Sequence, residues 1–336
     1  MQFSNNATLQ AALTWGALVA AAACVPAAAL AQDYPQKPVT LIVPFAAGGP
    51  TDIIARVVSD HMGRTLGQQL VVENVAGAGG TTGTDRAAKA RPDGYTLLLH
   101  HSGITTAPAL YSNLKYDTKT AFEPIGIINS GPMVMLGKKG LPYANLKELF
   151  DWMKADPAKV TLAHAGLGAS SYFCGLILQK VLGAKFSFVT YRGTGPAMND
   201  LVAGQIDAMC DQATSAVPQI TGGTIKAYAV TGDERIGSIK DVPTTKELGF
   251  PDFALSIWTA IYAPKGTSAE IVTKLNAALG KALEDKAVGE KFEAVGTQLY
   301  PKSMWTPEAL RKLYLADVDA NAELLKSAGV AAQEAK

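Results

Sequence analysis

The chain is poor in the residues that most often carry chemistry. It has three cysteines and four histidines among 336 residues. Cys-x-x-Cys, His-Glu-x-x-His and the phosphate-loop Gly-x4-Gly-Lys are all absent, which removes the common zinc, thiol-redox and nucleotide-phosphate signatures. Gly168-Ala-Ser-Ser-Tyr172 lacks the final glycine of a nucleophile elbow. Ser102 beside His101 is no catalytic pair, because sequence neighbours rarely adopt nucleophile–base geometry and triads converge from distant segments. Charge is nearly balanced, at a formal +1, and no basic run stands out. Nucleic acid and anionic membrane are thereby poor partners. No cofactor or metal site is expected, and the chain reads as a non-enzyme.

Residues 1–32 contain no Asp, Glu, Lys or Arg. The apolar stretch from Ala11 to Val25 is short for a membrane span and is followed by Ala29-Leu30-Ala31, an A-x-A-like cleavage site. Residues 1–31 are therefore read as a secretory signal peptide, although the amino terminus is its only positive charge. Cys24 is a weak match to a lipoprotein box, since Leu or Val is normally wanted three residues earlier. Export leaves two readings open for Cys174 and Cys210: one disulfide closing a long loop, or two buried thiols packed as small hydrophobes.

Against these absences stands Val43-Pro-Phe-Ala-Ala-Gly-Gly-Pro-Thr-Asp52, a nearly side-chain-free turn. An apolar strand from Val39 to Val43 enters it. A helix leaves it, with Ile53, Ile54, Val57, Val58, Met62 and Leu66 on one face. Gly48 and Gly49 let a ligand approach main-chain N–H groups, and the helix aims its unpaired N–H groups and positive dipole end at the same place. Such a turn suits a carboxylate or phosphate. Three more Gly-rich turns follow predicted strands, around Gly77–Gly83, Gly166–Ser171 and Tyr191–Thr194. A dinucleotide site fails on spacing and on the missing acidic residue after the next strand. His100 and His101 close a third strand, where adjacent residues point to opposite faces and cannot readily share one metal.

Length favours two domains. Phe122 to Ile128, continuing toward Met133 to Gly137, is expected as a first crossover between lobes. Ser256 to Ala263 is expected as the return. Capping boxes are read at Thr244 with Glu247 and at Thr267 with Glu270. The reading is α/β, with strand carboxyl ends and Gly-rich turns facing across a cleft.

Several residue strings resemble one family. They include Tyr34-Pro-x-Lys-Pro38, Ile42-Val-Pro-Phe45 through Asp52, Glu73-Asn-x-x-Gly-Ala-Gly-Gly80 and Arg91-Pro-Asp-Gly-Tyr95. Further on come Tyr191-Arg-Gly-Thr-Gly-Pro-Ala197, Asp200-Leu-x-x-Gly-Gln-Ile-Asp207 and Val242-Pro-Thr244, then Glu247-Leu-Gly249 and Ala263-Pro264. The chain is similar to the Bug-type solute receptors, periplasmic binding proteins of tripartite tricarboxylate transporter systems. The resemblance implies a two-lobed type II periplasmic binding protein (Venus flytrap) with two crossover hinge strands. Residues 32–130 plus 255–336 would form lobe 1, and residues 131–254 lobe 2. It implies a monomer that receives a small carboxylate in the periplasm and hands it to a membrane permease. Two alternatives are a receptor presenting its ligand to a membrane sensor kinase and a secreted enzyme on dicarboxylates.

The resemblance also implies the site. The turn at Phe45, Ala46, Ala47, Gly48, Gly49 and Thr51 would grip one carboxylate. Gly79, His101 and Ser102 would flank it. Gly166, Ala169, Ser170 and Ser171, with Tyr191, Arg192 and Thr194, would close from the other lobe, and Asp211 would meet the ligand's far end. Ala169, Tyr172, Arg192 and His164 depart from the family's usual Ser or Thr, His, Lys and Ser. An Arg192 fork could hold a second carboxylate, and Tyr172, His101, His164 and Trp258 could flank an aromatic ring. The expectation is a rigid dicarboxylate, terephthalate ahead of aliphatic acids.

Overall fold

Val39–Val43 (β1), Leu70–Asn74 (β2) and Thr96–His101 (β3) form a parallel set with β1 in the middle. In the computed structural model, which describes residues 34–327 and 329–334, this set opens a mixed sheet. The expected signal peptide and Cys24 lie outside the described residues. Ser256–Pro264 (β9) pairs antiparallel with β3, and Phe122–Lys138 (β4) antiparallel with β9. The last half of β4 leaves this sheet and enters a second one. There it lies between Ala208–Gln212 (β7) and Ile225–Val230 (β8), with Leu162–His164 (β5) and Phe188–Thr190 (β6) beyond β7. Gln298–Leu299 (β10) pairs with β4 at Asn129 and Ser130.

The first crossover is one continuous 17-residue strand. It runs through Asn129-Ser-Gly-Pro132 despite the glycine and proline. The backbone stays extended there, since Gly131 and Pro132 still pair with Ile257 and Ser256. Register shifts near Pro124–Gly126 and Ile127–Asn129 bend the strand, as bulges do. The return crossover enters β9, where Thr231 Oγ1 donates to Leu255 O (2.6 Å) and accepts from Met133 N (3.0 Å).

Period-two alternation places the cores. In the second half of β4, Met133 and Met135 face a cluster with Leu149, Leu178 and Phe253. Val134 and Leu136 face the other side, against Leu201, Met209 and Val217. Ile42, Leu98, Ile127, Tyr262 and Leu310 fill a core of the first sheet.

The helices that matter for the site begin at strand ends: Pro50–Leu66 (α1), Thr81–Ala88 (α2), the short Ala107–Leu110 (α3), Ser170–Leu182 (α5), Thr194–Val202 (α6) and Ala213–Thr221 (α7). Leu146–Ala155 (α4), Ala269–Glu284 (α8), Lys286–Ala294 (α9) and Pro307–Ser327 (α10) cover the outside. Thr244 and Glu247 exchange both capping-box bonds, 3.1 and 2.6 Å, though they close a turn and no helix follows. The second box is not formed, because the cap falls one residue later and Ile271 has no side-chain acceptor to return the bond. Ser268 caps α8 through Ile271 N, while Thr267 Oγ1 turns back to Pro264 O. Cys174 on α5 and Cys210 on β7 are joined as a disulfide. No helix among the described residues is long and apolar enough to cross a membrane.

Candidate ligand-binding site

The β1–α1 turn is built on one carboxylate. Asp52, buried in the first turn of α1, accepts from Gly48 N (3.1 Å), from Arg56 Nε and Nη2 (both 3.0 Å) and from Asn74 Nδ2 (3.0 Å). Asn74 also donates to Phe45 O (3.0 Å) and so fastens the start of the turn. Burial works to raise the Asp52 pKa, but these donors outweigh it and hold the group below its ordinary value. Gly48 has φ of 80°, a left-handed geometry that favours glycine.

The turn faces its counterparts from the second sheet at contact distance. Ala46 N donates to Arg192 O (3.1 Å). A side chain on Gly195 would start 2.4 Å from Ala47 O, so glycine permits the approach. Phe45 packs on Ala165 and Ala169. Between them lies a cavity of about 10 Å³ lined by Phe45, Gly49, Pro50, Thr51, His101, Ala165, Ala169, Ser170, Ser171, Thr194 and Gln212. That is about the room one water needs. The lobes meet in a closed arrangement, and a larger ligand requires them to stand further apart.

No charged side chain lines this cavity among the described residues. Its positive character comes from backbone. Helices α1, α5, α6 and α7 start at Gly49, Ala169, Gly193 and Gln212, and none of these N-caps makes a side-chain capping bond. Of the helices that start elsewhere, α4, α8 and α9 are capped by Asn145, Ser268 and Asp285, whereas α2 and α3, which start at Gly80 and Thr106, make no side-chain capping bond. The four uncapped ends each contribute about 0.3–1 kcal/mol toward an anion at an exposed site, more when buried. Hydroxyls of Thr51, Ser170, Ser171 and Thr194 and the amide of Gln212 complete a neutral, donor-rich lining.

His101 is 2% exposed and stacks on Phe45, with ring centroids 4.8 Å apart. Its Nδ1 accepts from Gly103 N, which places the ring proton on Nε2. Burial, reinforced by neighbouring His100, pushes its pKa well below the usual value. The imidazole is thus a neutral donor. Behind the cavity, Asp211 is fully enclosed. Its Oδ2 accepts from Ser215 Oγ (2.5 Å) and its Oδ1 from Gln212 N (2.9 Å). Burial raises its pKa to about 6 against the opposing bonds from Ser215, Gln212 and Thr194.

Among the expected site residues, the structure gathers Phe45, Gly49, Thr51, His101, Ala169, Ser170, Ser171 and Thr194 around one cavity. It leaves others outside. The Ala46 and Gly48 N–H groups are already spent on Arg192 O and Asp52, and Ala47 and Gly48 are exposed. Ser102 opens a 3-10 turn beyond β3 and does not line the cavity. Gly79 and Gly166 meet each other at the cleft rim. Tyr191 donates to Asp200 (2.6 Å), and the Arg192 side chain is exposed.

The aromatic flank is not assembled either. Trp258 lies in the first core and donates to Asp317 (2.7 Å). Tyr172, His164 and Phe188 pack against one another, tilted or edge to face, with ring centroids 4.9–5.5 Å apart. His164 bonds Gly166 N and Thr190 Oγ1, and burial lowers its pKa to about 4. Gln212 was missed. Strand alternation could have found it, because β7 runs one residue past Asp211 and must turn the next side chain to the opposite face. Among the described residues, no group of His, Cys, Asp and Glu is arranged to hold a metal.

Comparison with known proteins agrees with the fold. The sequence pattern described as the tripartite tricarboxylate transporter family receptor matches residues 54–322. A protein of the TAR-I ttuE-ttuC' intergenic region of Agrobacterium vitis is 46% identical over 314 residues, 93% of this chain and 91% of that protein. The solved periplasmic binding protein BugD superposes with a TM-score of 0.87 at 45% identity, covering 89% of this chain and all of the other. MatC of Rhodopseudomonas palustris, solved with bound malate, superposes at 0.84 and 38% identity, covering 87% of this chain and all of the other.

Proposed function

The chain belongs to the tripartite tricarboxylate transporter family of receptors, periplasmic binding proteins and not enzymes, and from that premise we propose that it captures a small carboxylate between its lobes and delivers it to a tripartite-type membrane permease. The observation that carries the ligand class is the convergence of four uncapped helix N-termini on one cavity without a charged lining side chain. A carboxylate satisfies the unpaired N–H groups and brings the charge that the lining lacks. The malate in MatC supports the same class.

Within that class, a compact aliphatic dicarboxylate fits better than the expected terephthalate. The rings meant to flank an aromatic ligand are committed elsewhere, except His101, and the Arg192 side chain is exposed. We assign residues 32–130 with 255–336 to one lobe and 131–254 to the other, a division supported by the β4 crossing near Ser130–Pro132 and the return near Leu255. Ligand would enter an open form and draw the lobes together, because only the closed form offers it both sets of turns. Residues 1–31 serve as the export signal in this reading, with the mature chain starting near Gln32.

Calorimetry against malate, succinate, adipate and terephthalate tests the proposal. At least one aliphatic acid should bind at micromolar strength or tighter, a free energy of about −8 kcal/mol. Small-angle scattering should then report a smaller radius of gyration with ligand. No binding by any of the four would overturn the assignment, and terephthalate binding ahead of the aliphatic acids would overturn the finer reading.

A further inference from the structure

Gly49, the N-cap of α1, is a glycine that neither its backbone nor its surroundings require. Its φ of −83° and ψ of 171° are ordinary extended values, unlike the left-handed φ of 80° at Gly48 and 99° at Gly80. A Cβ built on it would meet Thr194 Oγ1 at 3.4 Å, Gly195 N at 3.5 Å and Ala46 O at 3.6 Å, all van der Waals contacts. Gly193, the N-cap of α6, differs, because a Cβ there would stand 2.8 Å from Ala46 N. Outside the cavity, extended N-cap residues carry capping side chains. Asn145 accepts from Glu148 N (3.0 Å), Ser268 from Ile271 N (3.3 Å) and Asp285 from Ala287 N (2.9 Å).

The missing side chain leaves a pair of donors unspent. Pro50 has no N–H, and the first bond along α1 runs from Ile53 N to Gly49 O (3.1 Å). Thr51 N and Asp52 N lie between, and neither donates a hydrogen bond among the described residues. They are the second and third helical positions, whose N–H groups an N-cap oxygen accepts from. Gly49, Pro50 and Thr51 line the cavity. So does His101, which is 2% exposed and whose Nε2 proton has no partner among the described residues. The acid of this turn, Asp52, does not line the cavity and is paired with Arg56. Unspent donors from α1 and from an enclosed imidazole thus meet at one place. Both belong to the first lobe, so they are on offer whether the lobes stand apart or together.

We propose that Gly49 sets the affinity for the carboxylate through the side chain it lacks: a capping residue would bring its own oxygen to the Thr51 and Asp52 N–H groups and take the place of a ligand oxygen. Capping stabilises the start of α1 and weakens binding at the same position, so stability and affinity move in opposite directions. Simple bulk would lower affinity with any Cβ, and damage to the turn would lower stability as well. The inference rests on the carboxylate reading of the site.

Gly49→Ala and Gly49→Ser differ by one hydroxyl and test this, with malate, succinate, adipate and terephthalate as probes. Gly49→Ala adds the Cβ without an acceptor, so each acid that binds should keep its affinity within about twofold of wild type. Gly49→Ser should melt about 2 °C above Gly49→Ala, the effect of a restored cap. It should also bind at least about tenfold more weakly, because N–H groups are withdrawn from a charged ligand. Equal affinity in the two variants, or a loss in Gly49→Ala as large as that in Gly49→Ser, would overturn the inference and leave the carboxylate reading intact. A Gly49→Ser protein that melts below Gly49→Ala would do the same. Failure of all four acids to bind the wild type would overturn that reading, and this inference with it.

Discussion

Gln212 Nε2 donates to Ser170 Oγ over 3.2 Å, joining the end of β7 to the start of α5 at the wall of the cavity. One helical turn into α5 and two residues back along β7, on the same faces, Cys174 and Cys210 form a disulfide. The covalent link thus fixes the spacing of the two elements whose tips carry the polar pair. It is buried at both ends, with Cys174 at 0% and Cys210 at 1% exposure.

Replacing both cysteines by alanine should lower the unfolding free energy by about 2–4 kcal/mol, the usual value of a disulfide closing a loop of this order. Carboxylate affinity should fall with it, since Ser170 and Gln212 would no longer be held in register. Denaturant unfolding and calorimetry on the double variant check the two effects separately. Unchanged stability would show that packing alone holds α5 on β7.

His101 supplies the cavity's one imidazole donor, fixed by the bond from Gly103 N to Nδ1. His101→Phe retains a ring against Phe45 but removes the donor. Loss of a hydrogen bond to a charged ligand should weaken binding by about 1.5–3 kcal/mol. Because the ring is held neutral by burial, the ratio of wild-type to variant affinity should stay flat between pH 6 and 8. A ratio that grows as pH falls toward 6 would mean that the imidazolium is the binding form.

The strands, the crossovers and the Gly-rich turns were legible because each leaves a local mark. Period-two apolar runs end at glycine, and helical periodicity starts there. Most of the cavity wall followed from those turns and from the family resemblance. What escaped depended on partners distant in sequence. Gly48 and Ala46 looked available to a ligand, yet their N–H groups are consumed by Asp52 and by Arg192 O. Trp258 and Tyr172 looked like ligand flanks, yet Asp317, His164 and Phe188 claim them.

Asp211 should make both stability and binding depend on pH. Its folded pKa is raised by burial to about 6 from the ordinary 3.8, so between those values the folded protein binds more protons than the unfolded chain. Stability attributable to this group is full below the lower value and is lost as pH rises through the upper one, by about 3 kcal/mol at most. Asp211→Asn should therefore gain on wild type as pH rises from 4 to 7. A carboxylate bound beyond Thr194 and Gln212 disfavours the Asp211 charge further, so binding should take up protons near pH 6 to 7. Calorimetry in buffers of different ionisation enthalpy measures that uptake, and its absence would place Asp211 out of electrical reach of the ligand.

Asp52 gives the opposite sign. Four hydrogen bonds from Gly48, Arg56 and Asn74 hold its pKa below the ordinary value. Its contribution is therefore present above the unfolded carboxyl pKa and is lost as pH falls through the folded one. The Arg56 side chain is 57% exposed, so that ion pair adds little. The bonds to Gly48 N and Asn74 shape the turn. Asp52→Ala should lower stability by about 1–2 kcal/mol at neutral pH and widen the motion of residues 45–49. Asn74→Ala should act on the same turn through Phe45 O, and the double variant should cost less than the sum of the two. Thermal unfolding of the three variants at pH 7 and pH 3 checks this. Additive losses at pH 7, or a deficit in Asp52→Ala that persists undiminished at pH 3, would show that the carboxylate does not hold the turn.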